Sequence, residues 1–148
     1  MNKGFTSKEL LIVVIVFGLT LGVILPIISK NKDNANKQEL VNKAKLYIET
    51  LNTDIINANI NGKNILYQTY LPNNTGETVT FKIENIPIDS EYKYNGIIKV
   101  TENSKNNYSY KIAIRNETFM LGTEKNLVNK EDIKLNKVIE YDSNLFNK

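Results

Sequence analysis

LLIVVIVFGLTLGVILPII, residues 10–28, is a run of 19 residues without a charged side chain, and it decides how the chain is organised. Wound as a helix at 1.5 Å per residue it reaches roughly 28 Å, close to the hydrocarbon thickness of a bilayer. A helix packed in a soluble core is rarely apolar on every face. The expectation is therefore a membrane-spanning helix. Lys3 and Lys8 precede the run, which favours a cytoplasmic N-terminus with the remainder outside; Lys30 and Lys32 beyond it weaken that bias. A cleaved secretory signal fits poorly, because such signals carry an apolar core of about 7–15 residues and a small-residue cleavage site. Here the run is longer and ends in Pro26-Ile27-Ile28-Ser29-Lys30. Two organisations stay open: a permanent single-span anchor, and a signal cut in front of the run so that the run stays in the product.

The residues that separate them are Gly4-Phe5-Thr6-Ser7-Lys8-Glu9-Leu10. A short basic leader ending in Gly, then Phe, Thr, and a Glu four residues after the Phe, resembles the signal of type IV prepilins. Gly18 and Pro26, the latter where many pilins carry a helix-kinking proline, extend the resemblance over the first 30 residues. Beyond them no family motif is recognised.

The resemblance implies a structural subunit, major or minor, of a type IV pilus or related pseudopilus. Residues 1–4 would be a leader removed between Gly4 and Phe5 by a membrane aspartyl peptidase, with Phe5 then N-methylated. Residues 5–28 would span the membrane and later form the filament core. Partners would be other pilins, the prepilin peptidase, the assembly platform and its ATPase. The chain would sit in the cytoplasmic membrane before assembly and in a surface pilus afterwards.

Chemistry at these positions is compatible with that scheme. Gly4 has no side chain, so a protease can approach its backbone closely. Glu9 is the odd residue, a carboxylate one position before the apolar run. A charge at the centre of a membrane helix costs about 2.5–3.5 kcal/mol on insertion scales, and less near an interface. As part of a plain anchor, Glu9 would rest among headgroups. In a filament it would pair with the ammonium that cleavage creates on a neighbour's Phe5 and so set the register between subunits. Pro26 lacks an N–H and crowds the preceding turn, so a kink or local loosening is expected; the alternative is an incidental proline near the membrane exit.

Past the membrane, residues 29–60 continue with helical spacing. Leu40, Ala44, Tyr47, Ile48, Leu51, Ile55 and Ala58 recur at intervals of three and four and form one apolar stripe. Asn31–Asn36 is polar on all sides and is expected to be thin or melted. Asn61-Gly62 supplies a stop. Residues 61–148 read as a head of antiparallel strands: Thr78–Glu84, then Ile97, Ile98 and Val100, then Tyr108 to Ile114, then Phe119 and Leu121, and last Val138–Tyr141. Asn103–Asn106 and Arg115–Glu117 read as turns, Leu127–Leu135 as loop or short helix, and Asn61–Glu77 as a long connection. The fold class is α+β, a long N-terminal helix laid on a small antiparallel sheet in a pilin-like arrangement.

Composition narrows the chemistry. The chain has no Cys and no His, which removes thiolate and imidazole metal ligands, Cys nucleophiles and disulfides. Beyond residue 28 there are 17 basic and 15 acidic side chains, too balanced for an electrostatic nucleic-acid surface. Eighteen Lys against a single Arg, with 23 Asn and 19 Ile, read as codon bias from an AT-rich genome. Asn-x-Ser/Thr triplets at Asn73, Asn107 and Asn116 are expected by chance in so Asn-rich a chain. The glycines form no phosphate-binding loop, and Glu131-Asp132 and Asp89/Glu91 read as solvated loop charge. Tyr92 and Tyr94 beside Lys93 could stack on bases or sugars, but an ordinary strand edge is the simpler reading. No catalytic set, cofactor or metal is expected. The rival is a single-span anchored surface module whose head binds a ligand such as DNA or glycan.

Overall fold

The computed structural model describes residues 7–62, 65–68, 70–88 and 93–147, with side chains from residue 30 onward. Helix α1, Ser7–Asn61, is 55 residues long and runs without interruption through Pro26 and through Asn31–Asn36. The expected melting of Asn31–Asn36 is thus overturned. Helix propagation fixes one residue per hydrogen bond gained, whereas only nucleation is costly. A short polar stretch between two helical segments therefore pays no nucleation cost, and its Asn, Asp and Lys are each only modestly poorer than Ala. At the far end α1 stops where Gly62 takes a φ of +62°, the left-handed conformation common just past a helix.

The chain divides into two compact units, residues 1–36 and 37–148. In the second, α1 packs on a six-stranded antiparallel sheet. Its strands are β1 Thr78–Lys82, β2 Asn95–Ser104, β3 Asn107–Arg115, β4 Phe119–Leu121, β5 Val128–Asn129 and β6 Val138–Glu140. They lie in the order β1-β2-β3-β4-β6, with β5 also paired to β3. β4 and β5 share one edge of β3, β4 against Ile114 and Arg115 and β5 against Lys111 and Ile112.

Alternation produces the inner face. Every second residue of β2 from Gly96 to Glu102 is buried, and Val79 and Phe81 of β1 and Tyr110, Ile112 and Ile114 of β3 join them. Against this face lies the α1 stripe: Leu40, Ala44, Tyr47, Ile48, Leu51, Ile55 and Ala58 are all buried, with Val41 beside them. Each fully buried Leu or Ile contributes about 1.5–3 kcal/mol, so this seam dominates the stability of the unit.

Tyrosine hydroxyls hold the seam's borders. Tyr94 donates to Glu39 Oε1 at 3.0 Å, Tyr110 to Asn52 Oδ1 at 2.7 Å and Tyr67 to Asp54 Oδ2 at 2.5 Å, while Asn59 Nδ2 donates to the Tyr108 hydroxyl at 2.5 Å. An apolar ring with a polar tip suits a boundary between core and water. Burial raises the pKa of Tyr67, and its bond to the Asp54 carboxylate raises it further; Tyr110 is raised by burial first. Both therefore stay protonated donors at any ordinary pH. Tyr94 is buried and is part of this seam, so it is not an exposed stacking platform; Tyr92 lies outside the described residues.

Several boundaries differ from the expected ones. Ile83 and Glu84 leave β1 and enter a 3-10 turn, Ile83–Asn85. β2 continues to Ser104, with a register shift between Glu102 and Ser104, so the β2–β3 turn shrinks to Lys105-Asn106, where Asn106 has a φ of +61°. Arg115 belongs to β3, and the turn after it is built by Asn116, whose Oδ1 accepts from the Thr118 and Phe119 amides at 2.9 and 2.7 Å. Leu127–Leu135 holds β5 and a 3-10 turn, Lys130–Asp132. A four-residue helix not expected from the sequence, α2 Ser143–Phe146, follows β6 and is capped by Asp142, which accepts from the Asn144 amide at 2.8 Å. Phe146 joins Ala113 and Met120 in a second, small apolar cluster on the outer face of the sheet.

Candidate functional site

Gly4 and Phe5, the expected processing and methylation positions, lie outside the described residues, as does the leader that contains them. Glu9 and Pro26 lie in the backbone of α1, and their side chains are outside the described set. Among the described residues no helix is long and apolar enough to cross a membrane; the side chains of the apolar run, residues 10–28, are not among those described.

Among the described residues the two most exposed large apolar side chains lie near the end of α1 in sequence. Ile60 is 68% exposed, and Leu66, four residues past Gly62, is fully exposed. Beside Leu66 runs a groove of about 280 Å³ lined by Ala58, Ile65, Tyr67 and Pro87, with Asp54 and Asn57 at its polar margin. The long connection expected for Asn61–Glu77 supplies Ile65, Leu66 and Tyr67 to the groove, and no strand or helix interrupts the described residues between Gly62 and Glu77. Scattered exposed apolar residues need no explanation, but an exposed leucine at the lip of an apolar groove is a candidate contact surface.

The connection is anchored at its far end by Glu77. Its Oε2 accepts from the Asn73 and Asn74 amides at 2.9 and 3.2 Å, and its Oε1 accepts from the Tyr70 hydroxyl. These bonds, the Tyr70 one foremost and then the Asn73 amide, favour the ionised form and hold the Glu77 pKa below its ordinary 4.5. A carboxylate with a depressed pKa adds order that is complete above its unfolded value and lost as pH falls through its folded one. The signals of Tyr70, Asn73 and Asn74 should accordingly move together in one NMR titration step with a midpoint below 4.5, and Glu77→Gln should abolish the step. A midpoint at or above 4.5 would show that Glu77 does not hold the connection.

At the same end of the core sits Glu102, 6% exposed and directly across from Tyr108. Among the described residues its Oε2 has no hydrogen-bond partner, and leaving such a bond unmade costs about 1–3 kcal/mol. Its backbone ties the connection to β2, accepting from the Gly76 amide at 2.7 Å and donating to the Glu77 carbonyl at 3.1 Å. No three acidic side chains among the described residues come close enough to hold a metal ion. The acidic residues picked out in the sequence, Glu131 and Asp132, fall in an exposed 3-10 turn, while Asp89 and Glu91 lie outside the described residues. Set beside known proteins, the chain matches no family model, no curated relative and no solved structure.

Proposed function

We propose that this chain is a type IV pilin-like filament subunit, cleaved between Gly4 and Phe5 and assembled through the N-terminal part of α1. The observation that carries the reading is Gly4-Phe5-Thr6 with Glu9, set directly before 19 uncharged residues. A plain anchor has no use for that order of residues, whereas a subunit that is trimmed and then bundled uses each one. A helix whose C-terminal part lies on an antiparallel sheet agrees with the reading without being peculiar to it. The role is structural, not enzymatic. The precursor spans the cytoplasmic membrane with its head outside and works with a prepilin peptidase, an assembly platform and its ATPase. The apolar surface at Ile60 and Leu66 then serves contact between heads.

Co-expression with a prepilin peptidase should yield a chain beginning at Phe5, its amine methylated, by intact mass and N-terminal peptide analysis. Retention of Met1 or Asn2 on all surface material would leave the rival reading, a permanently anchored binding module, in its place.

A further inference from the structure

The chain uses lysine for 18 of its 19 cationic side chains, and its one arginine, Arg115, occupies an unusual place. Arg115 ends β3 on the outer face of the sheet, opposite Asn95 of β2 and Met120 of β4. Its guanidinium lies over two rings, 4.5 Å from the centroid of Tyr141 and 5.7 Å from that of Phe146, which are themselves packed edge to face. A guanidinium is planar and weakly hydrated on its faces, so rings can cover it, while its N–H fork still needs acceptors. Among the described residues no hydrogen bond or ion pair reaches that fork. The surroundings hold it in place: Asn116 fixes the turn that follows, and the Glu124 amide bonds the Phe146 carbonyl at 3.0 Å, tying α2 down.

Beside the fork opens a polar crevice of about 240 Å³, lined by Arg115, Lys82, Asn95, Glu84, Glu124 and Asn147. Two cations and two carboxylates share this space, and no salt bridge joins them. A ligand with several negative charges would be repelled by Glu84 and Glu124, and a simple cation by Arg115 and Lys82. The lining is matched by a small molecule that carries one charge of each sign.

We propose that this crevice binds a free α-amino acid as its zwitterion, the carboxylate bidentate on the Arg115 fork and the ammonium facing Glu84 and Glu124. A fork-on-carboxylate pair is a strong, directional contact, and the aromatic rings pre-set the guanidinium for it.

The single arginine makes the test clean. The full chain in detergent micelles, labelled only at arginine nitrogen, gives one side-chain Nε–H signal. Glycine should move that signal saturably, with acetate at least about tenfold weaker for want of the ammonium contact, and methylammonium should leave it in place. Glycine should also slow modification of wild-type Arg115 by phenylglyoxal. Arg115→Lys should weaken glycine binding about tenfold or more, read from the Asn95 and Asn147 amides, because a lysine keeps the charge but loses the fork. The double substitution Glu84→Gln and Glu124→Gln should weaken glycine and, by lifting repulsion, leave acetate as strong or stronger. Acetate or inorganic phosphate binding as tightly as glycine would reduce the crevice to a plain anion site and overturn the proposal, as would the absence of any saturable shift with glycine.

Discussion

Replacing Glu9 by valine should leave a precursor that is cleaved and membrane-resident yet nearly absent from filaments. The substitution removes no helix-forming element and makes the apolar run longer, so insertion is preserved. Under the proposed processing, cleavage would act on the Gly4–Phe5 bond and its product would carry a protonated amine at Phe5. Inside a bundle of apolar helices the counter-charge proposed for that ammonium is the Glu9 carboxylate of a neighbour. Removing one partner of a buried ion pair typically costs about 3–5 kcal/mol, most of it the burden of the charge left behind. At 1.4 kcal/mol per tenfold, that is roughly a hundred- to several-thousand-fold in each contact. Such a pair would add little net stability; what it would supply is register, because an uncompensated ammonium penalises every wrong stagger. Glu9→Ala should behave like Glu9→Val, which separates loss of charge from gain of bulk. Both variants, expressed beside the wild type and quantified in sheared filaments and in membranes, provide the measurement. Equal incorporation of all three would remove the register role.

How much could be read from the chain itself depended on whether one period governed a segment. The α1 stripe was legible because Leu40, Ala44, Ile48, Leu51 and Ile55 each fall on one helical face, and burial confirms every member. Val41 escaped because it sits at the stripe's margin, where sequence spacing cannot say how far a sheet wraps around a helix. β3 was legible from its alternation, whereas β5 was not: two residues hold no period, and Val128–Asn129 is a strand only because Lys111 and Ile112 lie alongside. Helix α2 is likewise one turn, fixed by the Asp142 cap and by Phe146 entering the outer cluster. Arg115 was hidden for a different reason. Composition explained the scarcity of arginine through codon usage, and position placed Arg115 in a turn. Only the pairing of β3 with β2 and β4, and the return of Tyr141 and Phe146 from far along the chain, surrounds it with rings. Its being the lone guanidinium among so many ammonium groups was the one available signal.

The same two strands support the largest stability effect expected in the head. Gly96 opens the buried alternation of β2 at a φ of +141°, and an added Cβ would stand 2.0 Å from the Ala113 carbonyl oxygen and 2.9 Å from its carbon. Both are backbone atoms of β3, so no side chain can swing aside; the strands themselves must separate. Strained backbone costs on the order of 1–3 kcal/mol and overpacking about as much again. Gly96→Ala is therefore expected to destabilise the head by about 3–5 kcal/mol, a large part of the 5–15 kcal/mol that holds a typical domain together. Gly76→Ala is the matched control: its φ is +85°, but nothing lies within 4 Å of the new carbon. It should cost only the left-handed backbone penalty of about 1–2 kcal/mol. Urea unfolding of the full chain, followed by tyrosine near-ultraviolet circular dichroism, reads both. Equal losses in the two variants would show that conformation alone matters at Gly96. A markedly larger loss at Gly96 would show that β2 and β3 meet there too closely for any side chain.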